Sequence, residues 1–219
     1  LSLRLFAHPL SSYCQKVLVA LYENGTPFEF RMMAFGDAEA AAEHAALWPL
    51  RRIPVLVDGD RTVVETSVIV EHLDLFHPGP QRMVPADPVA ALEARKMDRV
   101  FDGYVMTPMQ RIVFDAIRPE AARDPHGVAE ARALLDAAYA WLDGALAGRA
   151  WAAGEAFGLA DCAAAPALLY ADWTHPIPEA FGTLRAYRAR LLARPSFARA
   201  VEEARPYRSL FPLGAPERD

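Results

Sequence analysis

The chain has 219 residues, of which 53% are hydrophobic and 23% charged, enough apolar material for a packed core and too little charge for a disordered chain. Its 23 Lys and Arg against 28 Asp and Glu leave a net charge of −5, a poor electrostatic match for nucleic acid or an anionic membrane surface. No apolar run reaches the ~18 residues of a membrane span, no basic-then-apolar leader opens the sequence, and two cysteines are too few for a disulfide framework, so a reducing, cytoplasmic setting is expected.

Residues 3–7 read as a strand, and residues 8–12 as a turn. Tyr13, Val17, Ala20 and Leu21 then recur at helical spacing. Ser12 with Gln15 three residues later has the form of a capping box, and Asn24-Gly25 supplies the stop. Residues 28–32 alternate with period two, and residues 37–47 read as a helix. Residues 53–57 and 62–64 flank Asp58-Gly59-Asp60 as a hairpin. Thr66 or Ser67 is expected to cap a helix that packs Ile69, Leu73 and Phe76.

Pro-rich residues 78–86 read as a linker, and Asp87-Pro88 as a helix cap followed by first-turn proline. Beyond it everything is helical in character, with helices expected over 88–118, 128–147, 159–172, 179–193 and 195–204. Pro108 should kink or divide the first of these. Residues 159–171 are apolar on nearly every side, which predicts the buried central helix of an all-α unit. His8, His44, His72, His77, His126 and His175 are scattered without zinc-ligand spacing, so no metal site is expected.

Three segments carry a resemblance: Pro9 to Val17, Trp48 to Leu56 continued by Glu65 to Ile69, and Gly154 to Asp161. Together, in this order, they make the chain similar along nearly its whole length to the cytosolic glutathione S-transferases, of the bacterial serine- or cysteine-type. The resemblance implies an α/β unit followed by an all-α unit. A thioredoxin-like glutathione-binding domain would span residues 1–77, a linker 78–86, and an all-α domain forming the electrophile site 87–219. It implies conjugation of the glutathione thiolate to small hydrophobic electrophiles, in a homodimer, with no metal, nucleic acid or membrane partner. Other glutathione chemistry (isomerase, dehalogenase or thiol reductase) and a non-catalytic binding or scaffold role are the alternatives.

Ser11 and Ser12 sit at a strand-to-helix junction, where free backbone N–H groups favour an anion such as a thiolate. The family register places the activating residue at Ser11. Ser12 reads more simply as the cap, and Cys14 is a rival nucleophile that would bring thiol exchange. The resemblance also implies a cis bond before Pro54, which lets the backbone of Val55 pair with the cysteinyl part of glutathione. Glu65 and Thr66 would hold the γ-glutamyl ammonium and carboxylate, and Arg52 the glycyl carboxylate. Leu10, Phe101, Tyr104, Val105, Pro108, Met109 and Trp173 are expected around the electrophile, with His8 within reach. Three residues depart from the family pattern: Trp48 stands for Asn, Thr66 for Ser, and Gly158 for the Ser or Thr that caps the central helix. Asp161 is expected to bond backward to loop N–H groups, a role in the fold and not in chemistry.

Overall fold

The computed structural model describes residues 3–219. Strand β1 (Leu3–Ala7) is followed by α1 (Ser12–Glu23), β2 (Phe28–Met32), α2 (Ala38–Leu47), the hairpin β3 (Val55–Asp58) and β4 (Arg61–Val63), and α3 (Thr66–Phe76). The sheet runs β2-β1-β3-β4, parallel between β1 and β2 and antiparallel elsewhere. A parallel pair needs a crossover, and α1 supplies it. Leu5 and Phe6 are both fully buried although they point to opposite faces, because both faces of the sheet are covered. Leu3, Leu5 and Ala7 join the main core, and Phe6 turns toward His44 of α2. Ile69 and Leu73 pack inward from α3 as expected, but Phe76 is 55% exposed at the end of that helix.

The helical unit opens with α4 (Pro88–Val100), a π-helical segment (Phe101–Met106) and α5 (Thr107–Ala116), where the sequence suggested one helix over 88–118. Pro108 accounts for the difference. It has no N–H, and its ring would clash with the carbonyl one turn back in a regular helix. The preceding turn widens instead, so that the Thr107 N–H reaches Asp102 O, and Thr107 Oγ1 donates to the same carbonyl at 2.8 Å. Then come α6 (Pro125–Ala145), α7 (Leu159–Thr174), α8 (Gly182–Leu192) and α9 (Pro195–Ala204). Helix α6 starts before the expected residue 128 because Asp124 caps it, accepting from Gly127 N at 2.8 Å, with Pro125 in the first turn. Helix α8 starts later than expected, since Phe181 N closes a turn onto Pro178 O at 3.1 Å.

Helix α7 is buried on almost every side, as its composition predicted, and packs against α1, α4 and α5. Its entry explains the departure at Gly158. Leu159 N donates to Met83 O at 2.8 Å, and a Cβ at Gly158 would lie 2.7 Å from that same carbonyl. A capping side chain has no room there. Asp161 takes over, accepting from Gly158 N at 2.9 Å and Ala152 N at 2.9 Å, the backward bonds expected of it, and also from Tyr187 Oη at 2.5 Å. Burial outweighs these donors and pushes the Asp161 carboxyl up to about 6. No helix among the described residues is long and apolar enough to cross a membrane.

Candidate functional site

The first wall of the site is the N-terminus of α1. The cap is Ser11 and not Ser12: Ser11 Oγ accepts from Cys14 N at 3.4 Å, and Ser12 is the buried first residue of the helix. The capping box suggested by Ser12 and Gln15 does not form. Gln15 is fully buried, and its amide donates to Pro9 O at 2.9 Å and Tyr170 Oη at 3.1 Å. The cap bond of Ser11 is long and uses only a lone pair, so the hydroxyl proton stays available to an anion in front of the helix. Cys14 is fully buried behind it, and burial pushes its thiol up to about 11, against the weaker effect of Ser11.

The second wall is the N-terminus of α3. Neither Thr66 nor Ser67 caps it; the cap position is Glu65, which makes no side-chain cap bond. The first helical bond runs from Ile69 N to Glu65 O at 2.8 Å, so the N–H groups ahead of it lack helical acceptors. Glu65 has φ 68° and ψ 117°, a conformation that costs a non-glycine residue about 1–3 kcal/mol. Such strain concentrates at binding sites, and here it turns the exposed Glu65 carboxylate and an uncapped helix end toward one cleft. The Ile53-Pro54 bond is cis.

That cleft has a volume of about 500 Å³. Ser11, Arg52, Pro54, Glu65 and Thr66 line it together, as do Arg51 and Trp48. Val55 opens β3 opposite Phe6, is fully buried, and is not among the lining residues, although Pro54 just before it is. Ser12, Cys14 and His8 are not among the lining residues. His8 sits edge-on to Tyr207 at 4.9 Å, and burial lowers its imidazole pKa.

The far wall differs from expectation. Phe101, Val105 and Met109 are buried in the core, Leu10 and Trp173 pack against it, and Tyr104 points out at 54% exposure. The wall is built from Arg99, Asp102, Gly103, Thr107, Gln110 and Phe114, with Tyr13 of α1 beside them. The apolar stripe of this rod, Phe101, Val105 and Met109, serves the core and not the cleft. The signal for the cleft was a different stripe at helical spacing, Arg99, Gly103, Thr107 and Gln110, polar or small and ending at Phe114. Burial, then Asp102, raises the Tyr13 phenol, which therefore stays protonated.

Behind the cleft lies a buried charge cluster that the sequence did not reveal. Lys16 Nζ is fully buried, 2.6 Å from Asp98 Oδ1 and 2.8 Å from Asp102 Oδ2, and it donates to Ser67 Oγ at 3.0 Å. Arg99 also pairs with Asp102. Two cations thus balance two carboxylates, the condition under which buried charge is tolerated. Desolvation still raises the Asp102 carboxyl, since Lys16 offsets it only partly and Asp98 adds to it.

Residues 5–81 match the glutathione S-transferase N-terminal domain, and residues 105–195 match the glutathione S-transferase C-terminal domain. The chain belongs to the glutathione S-transferase family. A glutathione S-transferase of Methylobacterium radiotolerans, solved in complex with glutathione sulfonate, is 32% identical with a TM-score of 0.79, over 92% of this chain and 95% of that one. The Pseudomonas putida glutathione S-transferase is 30% identical over 73% of this chain and 70% of its own. The stringent starvation protein A homolog of Haemophilus influenzae is 31% identical over 92% and 91%. Family membership thus joins a geometry in which two helix N-termini face one cleft.

Proposed function

We propose that this family member binds glutathione in the cleft and transfers its thiolate to an electrophile held against the α4–α5 rod. The observation that carries the reading is the joint exposure of Ser11 and the uncapped N-terminus of α3 in one cavity. The glutathione sulfonate bound to the Methylobacterium relative supports the same ligand class here.

Glutathione carries two carboxylates and one ammonium. The α3 N–H groups and Thr66 hydroxyl take the γ-glutamyl carboxylate, Glu65 the ammonium, and Arg52 the glycyl carboxylate. The Val55 backbone pairs with the cysteinyl portion as an added strand. This leaves the sulfur before Ser11. The Ser11 O–H donates to the thiolate, and the α1 dipole favours the same charge, so the thiol loses its proton to solvent more readily. The thiolate then forms the S–C bond as the electrophile accepts the electron pair or expels its leaving group. Cys14, with its raised pKa and no place in the cleft wall, is a poor centre for thiol exchange, which favours Ser11-assisted transfer over reductase chemistry.

The far wall refines the substrate. Phe114 and Tyr13 offer aromatic surface, but Arg99, Asp102, Thr107 and Gln110 are polar. An electrophile with a flat apolar part and polar substituents fits better than a wholly hydrophobic one. A non-catalytic binding role is the second reading, because similar proteins carry names other than transferase, the stringent starvation protein A homolog among them. Glutathione affinity followed by a conjugation assay separates the two: binding with turnover supports transfer, and binding without turnover toward any of a panel of polar and apolar electrophiles supports the second reading.

A homodimer belongs to the same proposal. Val68, Leu75 and Phe76 of α3 and Val89 and Leu92 of α4 are large and exposed, and Arg95 of α4 ties the two helices side by side through Glu71 at 2.7 Å. One apolar face shared with its own copy closes as a dimer. Met97, Phe101, Val105 and Met106, on the same stretch of chain, are committed to the core.

A further inference from the structure

Away from the cleft, three side chains from three parts of the first unit meet. Asp58 ends β3, His72 lies in α3, and His77 follows that helix. His72 Nε2 is 2.8 Å and His77 Nε2 2.7 Å from the same oxygen, Asp58 Oδ2. One donor atom from each residue falls within 4.8 Å of the others. His72 is buried, and Asp58 and His77 are partly exposed. We propose that Asp58, His72 and His77 form a binding site for a divalent zinc-type cation.

The donor chemistry fits that class. Two imidazole nitrogens and one carboxylate oxygen are borderline ligands that suit zinc, and they leave a fourth position for water. Bond lengths of about 2.0–2.2 Å to a tetrahedral ion place donor atoms roughly 3.3 Å apart. The two donor pairs that share Asp58 Oδ2, at 2.8 Å and 2.7 Å, need only open by about half an ångström to accept the ion. Arg61, directly across the hairpin, does not neutralise Asp58: its guanidinium lies over the Phe76 ring at 5.1 Å. His72 is held in turn by Phe76, ring to ring at 4.7 Å. The arrangement is thus largely set before an ion arrives, which lowers the ordering cost of binding.

An ion here would staple the β3–β4 hairpin to the end of α3, the helix whose other end carries Thr66. The site is separate from the glutathione cleft, so its test does not depend on that reading. Tag-free protein is stripped with chelator and titrated with zinc against a chromophoric competitor, and melting is followed with and without the ion. The expected result is one equivalent per chain and a higher Tm with zinc. Affinity should fall at least tenfold in His77→Gln and in Asp58→Asn. His126→Gln, which removes the exposed imidazole beside Glu130, should leave uptake unchanged. No uptake by the wild-type chain at 100 µM zinc would overturn the proposal. So would uptake that survives both His77→Gln and Asp58→Asn, or that is lost only in His126→Gln.

Discussion

Ser67 Oγ donates to Asp98 Oδ2 at 2.7 Å and accepts from the Arg99 guanidinium at 3.1 Å, which fastens the first turn of α3 to α4. Lys16 reaches Ser67 and Asp98 from α1. The helix end facing the cleft is therefore positioned from behind by a charge cluster spanning both units. Lys16→Met removes the ammonium and keeps most of the volume. Two buried carboxylates then share only Arg99, and loss of a buried partner costs about 3–5 kcal/mol. Equilibrium urea unfolding should show a loss of this size, and a loss below about 1 kcal/mol would contradict the assignment.

Gly158 is required by space and not by conformation, since its φ of −165° is open to any residue. Gly158→Ala should cost about 1–3 kcal/mol, because the new methyl presses on the Met83 carbonyl. Denaturation of this variant beside Gly182→Ala, where a Cβ meets nothing within 4 Å, is the check, and equal stabilities would refute the steric account.

Asp161 predicts a pH effect of definite sign. Its carboxyl titrates near 6 in the fold against an ordinary 3.8. An acid whose pKa is raised by folding contributes fully below the lower value, and that contribution is lost as pH rises through the higher one. Relative to Asp161→Asn, the wild-type chain should lose roughly 3 kcal/mol of stability between pH 3 and pH 7, at about 1.4 kcal/mol per pKa unit. Parallel stability curves for the two proteins would mean that Asp161 titrates normally.

Thr66→Val keeps the shape of the side chain and removes the hydroxyl. If that hydroxyl holds the γ-glutamyl carboxylate, glutathione affinity should weaken by about 1.5–3 kcal/mol in calorimetry. Unchanged affinity in a folded variant would place the carboxylate elsewhere.

The order of strands and helices was legible because it rests on local signals: period-two runs, Asp-Gly in the hairpin, Asp87-Pro88 at a helix start, and an all-apolar stretch in α7. So was the gathering of Ser11, Arg52, Pro54, Glu65 and Thr66, though that came from motif order and not from spacing. What stayed hidden depends on packing. The choice between Ser11 and Ser12 as cap turns on one residue of helix phase, and burial of Gln15 beneath Tyr170 decides it. The π-helical turn before Pro108 sets which stripe of the rod meets the cleft, and apolar spacing drew attention to the stripe that fills the core. Lys16 with Asp98 and Asp102, and Asp58 with His72 and His77, are far apart in sequence and meet only through the fold.

The central claim is that Ser11 stabilises a glutathione thiolate in the cleft. It is tested most directly by titrating bound glutathione from pH 5 to pH 10 and following thiolate absorbance, in the wild-type chain and in Ser11→Ala and Cys14→Ala. The account predicts a wild-type thiol pKa well below that of a free thiol, near 8.5. Ser11→Ala should still bind glutathione but return that pKa toward the free value, while Cys14→Ala leaves it in place. A normal thiol pKa in the wild-type complex, or a depressed one that survives Ser11→Ala and disappears in Cys14→Ala, would contradict it.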